Sequence, residues 1–297
     1  MLPVPPLPPW LERQLPFRRS MLEVRSRQMH LMEHGQPQGR PVLMLHGNPT
    51  WSFLWRKVAM QLTHESLRLV MPDLIGLGLS EKPGPGVHTL EFHGAQIAAL
   101  VEQLDLQNLV LVVQDWGGPI GGVAAAALGK RVAGLIVLNT ILGPPRVGFR
   151  PTPFHRFSQM PLVSTFAFRV LGFPQLSLGF AQGDRTSISG DVSRAYRWPL
   201  RNRLHNGAPL ALARMVPDSQ QHPSIAKLQE CEAWVRSFKG PRALVWGTKD
   251  PVLGRTLKRA QTLLEVEPVV TPAGHFLQEE VPVEIAGAIR RVVAQLN

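Results

Sequence analysis

Asp115 stands in Val113-Gln114-Asp115-Trp116-Gly117-Gly118, directly after the apolar run Leu109 to Val113. An ionised Asp on a short turn between a buried strand and a glycine-opened helix has no packing role. The pattern is that of a nucleophile elbow, a strained strand-to-helix turn that lifts one side chain to the top of a parallel sheet. Here the lifted group is a carboxylate. A carboxylate that attacks carbon becomes an ester, which narrows the chemistry to displacement at a saturated or strained carbon.

Two further groups follow in chain order. Asp250, in Trp246-Gly247-Thr248-Lys249-Asp250, comes after one apolar run, and His275, in Pro272-Ala273-Gly274-His275-Phe276, after the last. Nucleophile, acid and histidine in that order, each at a strand end, follow the chain order of an α/β-hydrolase triad. Each piece alone has a plainer reading. Asp250-Pro251 can be a helix-start turn, and Gly274-His275 can be an ordinary loop. The conjunction carries the argument. No Gly-x-Ser-x-Gly occurs, which argues against a serine esterase or lipase. Asp73, in Asp73-Leu74-Ile75-Gly76-Leu77-Gly78-Leu79-Ser80, reads as structural, tied to backbone donors. His46 reads as buried and hydrogen-bonded. The histidines other than His275 show no metal-like spacing. Neither glycine cluster matches a phosphate loop or a full dinucleotide fingerprint, so no metal and no organic cofactor is expected.

Positioning three such groups requires a parallel sheet, and the chain alternates short apolar runs with longer helical patterns, as βαβ units do. Ser20 to Glu33 reads as an antiparallel strand pair. Pro41–Leu45, Leu67–Met71, Leu109–Val113, Leu135–Leu138, Arg242–Trp246 and Glu267–Thr271 read as further strands. Trp51–Leu62, Leu90–Leu104, Gly117–Leu128 and Pro282–Leu296 have helical character. From Gly143 to about His222 the alternation breaks. This stretch is rich in Phe, Pro and Arg, with short helices expected near Phe166–Leu171 and Leu210–Val216. An insertion at the carboxyl ends of the strands would lie over the site as a lid. The expected division is an arm (1–16), a first core segment (17–142), a helical cap (143–222) and a second core segment (223–297).

The chain has 297 residues, 44% of them hydrophobic, enough for one large core. No apolar run approaches a membrane span. Met1 to Trp10 is proline-rich without the order of a signal peptide. It reads as an irregular arm with a disordered tip, on a cytoplasmic protein. The single cysteine, Cys231, excludes an internal disulfide and reads as an inert thiol. The formal charge is +11. The cap segment carries ten arginines and no lysine against Asp184, Asp191 and Asp218, a net +7. Without interleaved aromatics this reads as a solvated face, and no nucleic-acid partner is expected.

Taken together, the motifs resemble the haloalkane dehalogenases. The match covers nearly the whole chain after about residue 16. It rests on His46-Gly47-Asn48-Pro49-Thr50-Trp51-Ser52-Phe53-Leu54-Trp55-Arg56, on Pro72-Asp73-Leu74-Ile75-Gly76-Leu77-Gly78-Leu79-Ser80, on Gln114-Asp115-Trp116-Gly117-Gly118-Pro119 and on the segments holding Asp250 and His275. The resemblance implies an α/β-hydrolase fold, a mostly parallel, doubly wound sheet with an inserted helical cap. It implies Asp115 as nucleophile, His275 as base and Asp250 as the orienting acid. Asn48 and Trp116 become the halide-binding pair, and their backbone N–H groups the oxyanion donors. Asn139 stands where some relatives carry the acid and cannot serve, so Asp250 takes that role; Asn48 with Trp116 as halide donors and Asp250 as acid look like the third branch of the family. A small apolar halogenated substrate, a free halide and a homo-oligomer are the implied partners. The phenylalanines Phe154, Phe157, Phe166, Phe168 and Phe173 are candidates for a cavity wall or for cap core.

Rival chemistries remain on this fold. An epoxide hydrolase needs two cap tyrosines, and Tyr196 is the one tyrosine in the chain. A fluoroacetate-type enzyme wants arginine near the nucleophile to bind a carboxylate; the residue after Asp115 is Trp116, though arginines of the inserted segment could substitute. A β-lactone decarboxylase of olefin biosynthesis keeps the same five groups and stays open. A ligand-binding homologue without activity has little need of all five.

Overall fold

The computed structural model of the protein describes residues 2–151, 153–202 and 206–296, the side chains of Phe154 and His155 excepted. Its strands are β1 (Arg18–Val24), β2 (Arg27–Gly35), β3 (Arg40–Leu45), β4 (Leu67–Pro72), β5 (Leu109–Asp115), β6 (Val132–Thr140), β7 (Arg242–Gly247) and β8 (Pro268–Thr271). The helices that precede the cap are α1 (Pro9–Glu12), α2 (Arg56–Gln61), α3 (Leu90–Gln103) and α4 (Gly117–Leu128). Four more, α5 (Pro153–Gln159), α6 (Pro161–Arg169), α7 (Gly190–Arg197) and α8 (Gly207–Arg214), lie in the long insertion after β6. The chain closes with α9 (Ile225–Ser237), α10 (Leu257–Leu264), α11 (Leu277–Glu280) and α12 (Pro282–Ala294).

The strands form one sheet in the order β1-β2-β4-β3-β5-β6-β7-β8. β2 runs antiparallel to both β1 and β4, and the pairings from β4 through β8 are parallel. Continuous apolar strands are what such a sheet needs, because both faces are covered. In β5, Leu109, Leu111 and Val113 enter one core, while Val110 and Val112 enter the other. β6 divides the same way, Leu135 and Val137 against Ile136 and Leu138. Ile97 of α3, Ile120 of α4 and Leu228 of α9 complete the first core. Val58 of α2 and Ile289 of α12 belong to the second. The small residues of α4 let α3 and α9 lie close: a Cβ on Gly122 would stand 2.2 Å from the Cys231 sulfur. That contact explains why Cys231 is fully buried and its thiol pKa is pushed up to about 12 by desolvation.

Several expectations need correction. The N-terminal arm is irregular from residue 3 to 8, as expected, but it is packed against the core, and the tip at Met1 lies outside the described residues. Leu7, Leu11 and Leu15 are buried in the second core, and Trp10 of α1 meets Trp198 edge-on at 6.0 Å. Apolar spacing at Leu7, Leu11 and Leu15 is a helix-period signal that the prolines obscured. The segment after Trp51 opens as a 3-10 turn, Ser52–Trp55, before α2. β6 runs on to Thr140, so Asn139 lies inside the strand. Phe166 is 55% exposed and lines nothing, whereas Phe157, Phe168 and Phe173 form a small aromatic core of their own. The expectation for the Phe154 side chain lies outside the described residues.

Asp73 is a structural hub, as its motif suggested, though backbone donors are only part of the reason. It is fully buried; Oδ1 accepts from the Ser52 N–H at 2.7 Å and Oδ2 from the Leu79 N–H at 2.7 Å. Its third partner is the buried His30, with Nδ1 2.8 Å from Oδ2. Burial works against the charge, but His30, His46 and the Leu79 amide overcome it and hold the carboxyl at about 2. The turn after β4 is thereby tied to β2 and to the segment after Asn48. Asp73→Ala would strand these donors without water, and is expected to lower the unfolding free energy by about 3–5 kcal/mol in urea titration. A loss below about 1 kcal/mol would show that the hub is dispensable.

Candidate active site

β5 ends on Asp115, whose φ of 49° puts a non-glycine residue in the left-handed region. The fold forces this. α4 begins so close to β3 that a Cβ on Gly117 would sit 2.3 Å from the Leu45 carbonyl oxygen. A Cβ on Gly47 would meet the Asp115 carboxylate itself at 2.1 Å. The two glycines make the room in which the elbow turns and its side chain lies. Asp115 Oδ1 accepts from the Asn48 backbone N–H at 2.7 Å. Its Oδ2 is 3.5 Å from His275 Nε2. One oxygen is held and the other is only loosely engaged.

His275 is delivered by the loop after β8 and is buried. Its Nδ1 is 2.8 Å from Asp250 Oδ2. Asp250 in turn accepts at Oδ1 from the Val252 N–H at 2.7 Å and the Leu253 N–H at 3.0 Å. Asn139 donates Nδ2 to Asp250 Oδ2 at 2.7 Å and pairs with Gly247 through both its amide atoms. Burial opposes charge on His275, but Asp250 and Asp115 outweigh it and lift its pKa to about 10. Burial also opposes the charge of Asp250, yet His275 and Asn139 hold its pKa below the usual carboxylate range. An imidazole carried between two carboxylates, one at each ring nitrogen, can pass a proton to and from a group beside Asp115.

The structure therefore brings Asp115, His275 and Asp250 together from three loops, and adds two residues that motif reading did not single out. Asn139 had been set aside as unable to replace the acid; it is the acid's hydrogen-bond partner. Gln114 is fully buried and donates Nε2 to the His275 carbonyl at 3.0 Å, bracing the histidine loop. A polar residue ending an otherwise apolar strand was the available signal. Asn48 and Trp116 both face the site, with a difference. Asn48 Nδ2 donates to the Pro209 carbonyl of α8 at 2.9 Å, which leaves it one further N–H. Among the described residues the Trp116 indole N–H makes no hydrogen bond within the protein.

Other carboxylates are committed elsewhere. Glu279 is held by Arg56 at 2.5 and 2.9 Å, by Lys57 at 3.1 Å and by the Tyr196 hydroxyl at 2.6 Å. Neither Glu279 nor Asp73 is free to orient His275. Tyr196, buried and donating to Glu279, has no hydroxyl to offer an epoxide. His46 donates Nδ1–H to the Gly47 carbonyl at 2.9 Å and accepts the Leu74 N–H at 3.0 Å. Burial depresses its pKa, and its role is to join β3 to the turn after β4.

A cavity of about 1080 Å³ opens above Asp115, Asn48, Trp116 and His275. Its deep walls are apolar, with Phe168, Leu178, Ala213 and Phe276 all buried. Residues 145–150, with Phe173, Pro174, Ser177, Leu178 and Ala181 of the same insertion, line it. Among the described residues no helix is long and apolar enough to cross a membrane, and no group of three metal-ligating side chains occurs.

Comparison with known proteins places this architecture. A family profile described as alpha/beta hydrolase fold matches residues 40–282. A haloalkane dehalogenase of Mycobacterium marinum is 31% identical over 268 residues, 88% of this chain and 87% of that protein. The tetrameric structure of the haloalkane dehalogenase DpaA from Paraglaciecola agarilytica NO2 superposes with a TM-score of 0.80 at 27% identity, over 95% of this chain and 93% of the other. The haloalkane dehalogenase DatA from Agrobacterium tumefaciens C58 gives 0.81 at 27% identity, over 95% and 97%. With the sheet order, the elbow and these relatives in agreement, the chain belongs to the α/β hydrolases and, among them, to the haloalkane dehalogenases, hydrolases that act on carbon–halide bonds.

Proposed function

We propose that this protein hydrolyses a carbon–halogen bond through an ester on Asp115, giving an alcohol, a halide ion and a proton. The observation that carries this reading is the unequal engagement of the Asp115 oxygens. Oδ1 is fixed by the Asn48 N–H, and Oδ2 stands at the floor of a mainly apolar cavity. Oδ2 attacks the carbon, an O–C bond forms, and the C–X bond breaks with its electron pair leaving on the halide. The second N–H of Asn48 and the Trp116 indole receive that anion. Both donors are neutral, so the halide is bound without the grip of a full positive charge.

Ester formation removes the negative charge of Asp115, one of the two that hold a proton on His275. His275 then releases that proton to solvent and becomes the base. It takes a proton from water, whose hydroxide adds to the Asp115 carbonyl carbon. The Asn48 N–H, with that of Trp116, stabilises the resulting oxyanion. The acyl C–O bond breaks, His275 gives its proton to the departing alkoxide, and the new carboxyl group, with an oxygen drawn from water, returns a proton to His275 and becomes the carboxylate again. Asp250 fixes the imidazole so that Nε2 faces the ester. Residues 143–222 are the cap that closes the cavity. No step calls for a metal or an organic cofactor. Homo-oligomers and a cytoplasmic location are further parts of the reading; the tetrameric relative supports the first.

The covalent step is tested with His275→Phe and bromohexane. Intact mass should rise by one hexyl group, located on the peptide holding Asp115, with about one bromide released per chain. An adduct on any other residue overturns the assignment. Trp116→Phe and Asn48→Ala each remove one halide donor, and each is expected to raise the barrier to carbon–halogen cleavage by about 2–4 kcal/mol. Parental rates in both would move the halide site elsewhere. The coupling between nucleophile and base is read by NMR titration of the His275 ring. Its pKa should fall from about 10 in Asp115→Asn, because the neutral amide no longer stabilises the imidazolium. An unchanged value would mean that Asp250 alone sets the protonation of His275.

A further inference from the structure

The mouth of the cavity has a charge that hydrolysis of a neutral haloalkane does not use. Arg146 and Arg150 line it from the insertion, and Arg255, Lys258 and Arg259 from the start of α10 and the turn before it. Asp115, at the floor, is the one carboxylate among the described lining residues. Arg259 is satisfied: it donates to the Pro144 carbonyl at 2.5 Å and is 3.4 Å from Glu232. The other four are exposed, and none has a carboxylate within ion-pair distance among the described residues. No acid stands in the first turn of α10 to offset them. Like charges gathered without counter-ions repel one another. They belong together where something anionic comes between them.

The cavity thus has two chemically different ends. Its floor and walls are apolar and buried around Trp116, Phe168, Leu178 and Phe276. Its rim is cationic and exposed. At about 1080 Å³ it is also slightly above the usual range for a small-molecule site, roughly 300–1,000 Å³, and exceeds what a short haloalkane fills. We propose that the preferred substrate is a long apolar chain that carries the carbon–halogen bond at one end and a carboxylate at the other. The halogenated end goes down to Asp115, the chain lies along the apolar wall, and the carboxylate stays at the rim among Arg150, Arg255 and Lys258. Arginine can take a carboxylate bidentately, with lysine as a point charge beside it. The rim also draws such a substrate in from solution, an effect that salt weakens. One of the ten arginines of the insertion, Arg150, therefore has a role beyond a solvated face.

This inference rests on the dehalogenase reading for the reactive end of the substrate but not for the rim, and the test separates the two. Calorimetry on the full chain compares decanoate with decanol, ligands of one chain length that differ in charge and cannot react. Decanoate is expected to bind at least about tenfold tighter, about 1.4 kcal/mol. The preference should shrink with added salt, and vanish in the triple variant Arg150→Gln, Arg255→Gln, Lys258→Gln while decanol binding persists. In turnover, ω-bromodecanoate should exceed its methyl ester in kcat/KM in the parent protein. The triple variant should lose that advantage and keep its rate on bromohexane, which also reports an intact fold. Equal binding of decanoate and decanol, or a preference that survives in the triple variant, overturns the anionic rim. Absence of bromide release from every bromoalkane overturns the hydrolytic reading instead, and the calorimetry still decides the rim.

Discussion

The structure depends on one constraint: a carboxylate that is to attack carbon must be held in a dry place without being fully satisfied there. An ionised group removed from water is costly unless hydrogen-bonded or paired, and one that is wholly paired is a poor nucleophile. Asp115 meets this with one short bond, from the Asn48 N–H, and one looser approach to His275. Everything nearby serves that balance. The left-handed elbow lifts the side chain clear of β5, Gly47 leaves the space it occupies, and Gly117 lets α4 start beneath it. None of these glycines can gain a side chain without displacing backbone or the carboxylate.

His275 extends the same balance outward. Its charge is desolvated, and it is retained because a carboxylate lies at each ring nitrogen. Asp250 is the permanent partner, built into β6 and the loop after β7 through Asn139, Gly247, Val252 and Leu253. Asp115 is the partner whose charge disappears when it is alkylated. In the proposed reaction this asymmetry times the base, since the imidazole sheds its proton once the ester exists. Buried pairs elsewhere do the opposite work. Asp73 with His30 ties the turn after β4 to β2, and Glu279 with Arg56, Lys57 and Tyr196 ties α11 to α2 and α7.

Above the sheet, the insertion contributes to the site mostly by enclosure. Pro209 accepts from Asn48, so the insertion meets the proposed halide donor directly. Phe168 and Phe173 belong at once to the small core of the cap and to the cavity wall. The rim is where the cap and the α10 region meet, and its unpaired cations follow from that meeting.

Much of the protein was legible in the residues. Elements whose signal is local were read well: the apolar runs of β3, β5 and β7, the helical period of α3 and α12, and the turn chemistry around Asp115. The order Asp115, Asp250, His275 followed from motifs at strand ends, because a parallel sheet sends its functional loops to one edge. What the chain order does not contain is the distance between groups on different loops. That Asn139 holds Asp250 across 111 positions of sequence, that Gln114 braces the His275 loop, and that His30 lies beside Asp73 are pairings created only when the sheet assembles. The docking of the N-terminal arm likewise depends on a groove formed by the second core. The arginine-rich segment reads in sequence as a uniformly charged face; packing decides which of its side chains turn to solvent and which reach the mouth of the cavity. Local periodicity and turn chemistry are properties of neighbouring residues, and charge complementarity across loops is a property of the folded surface.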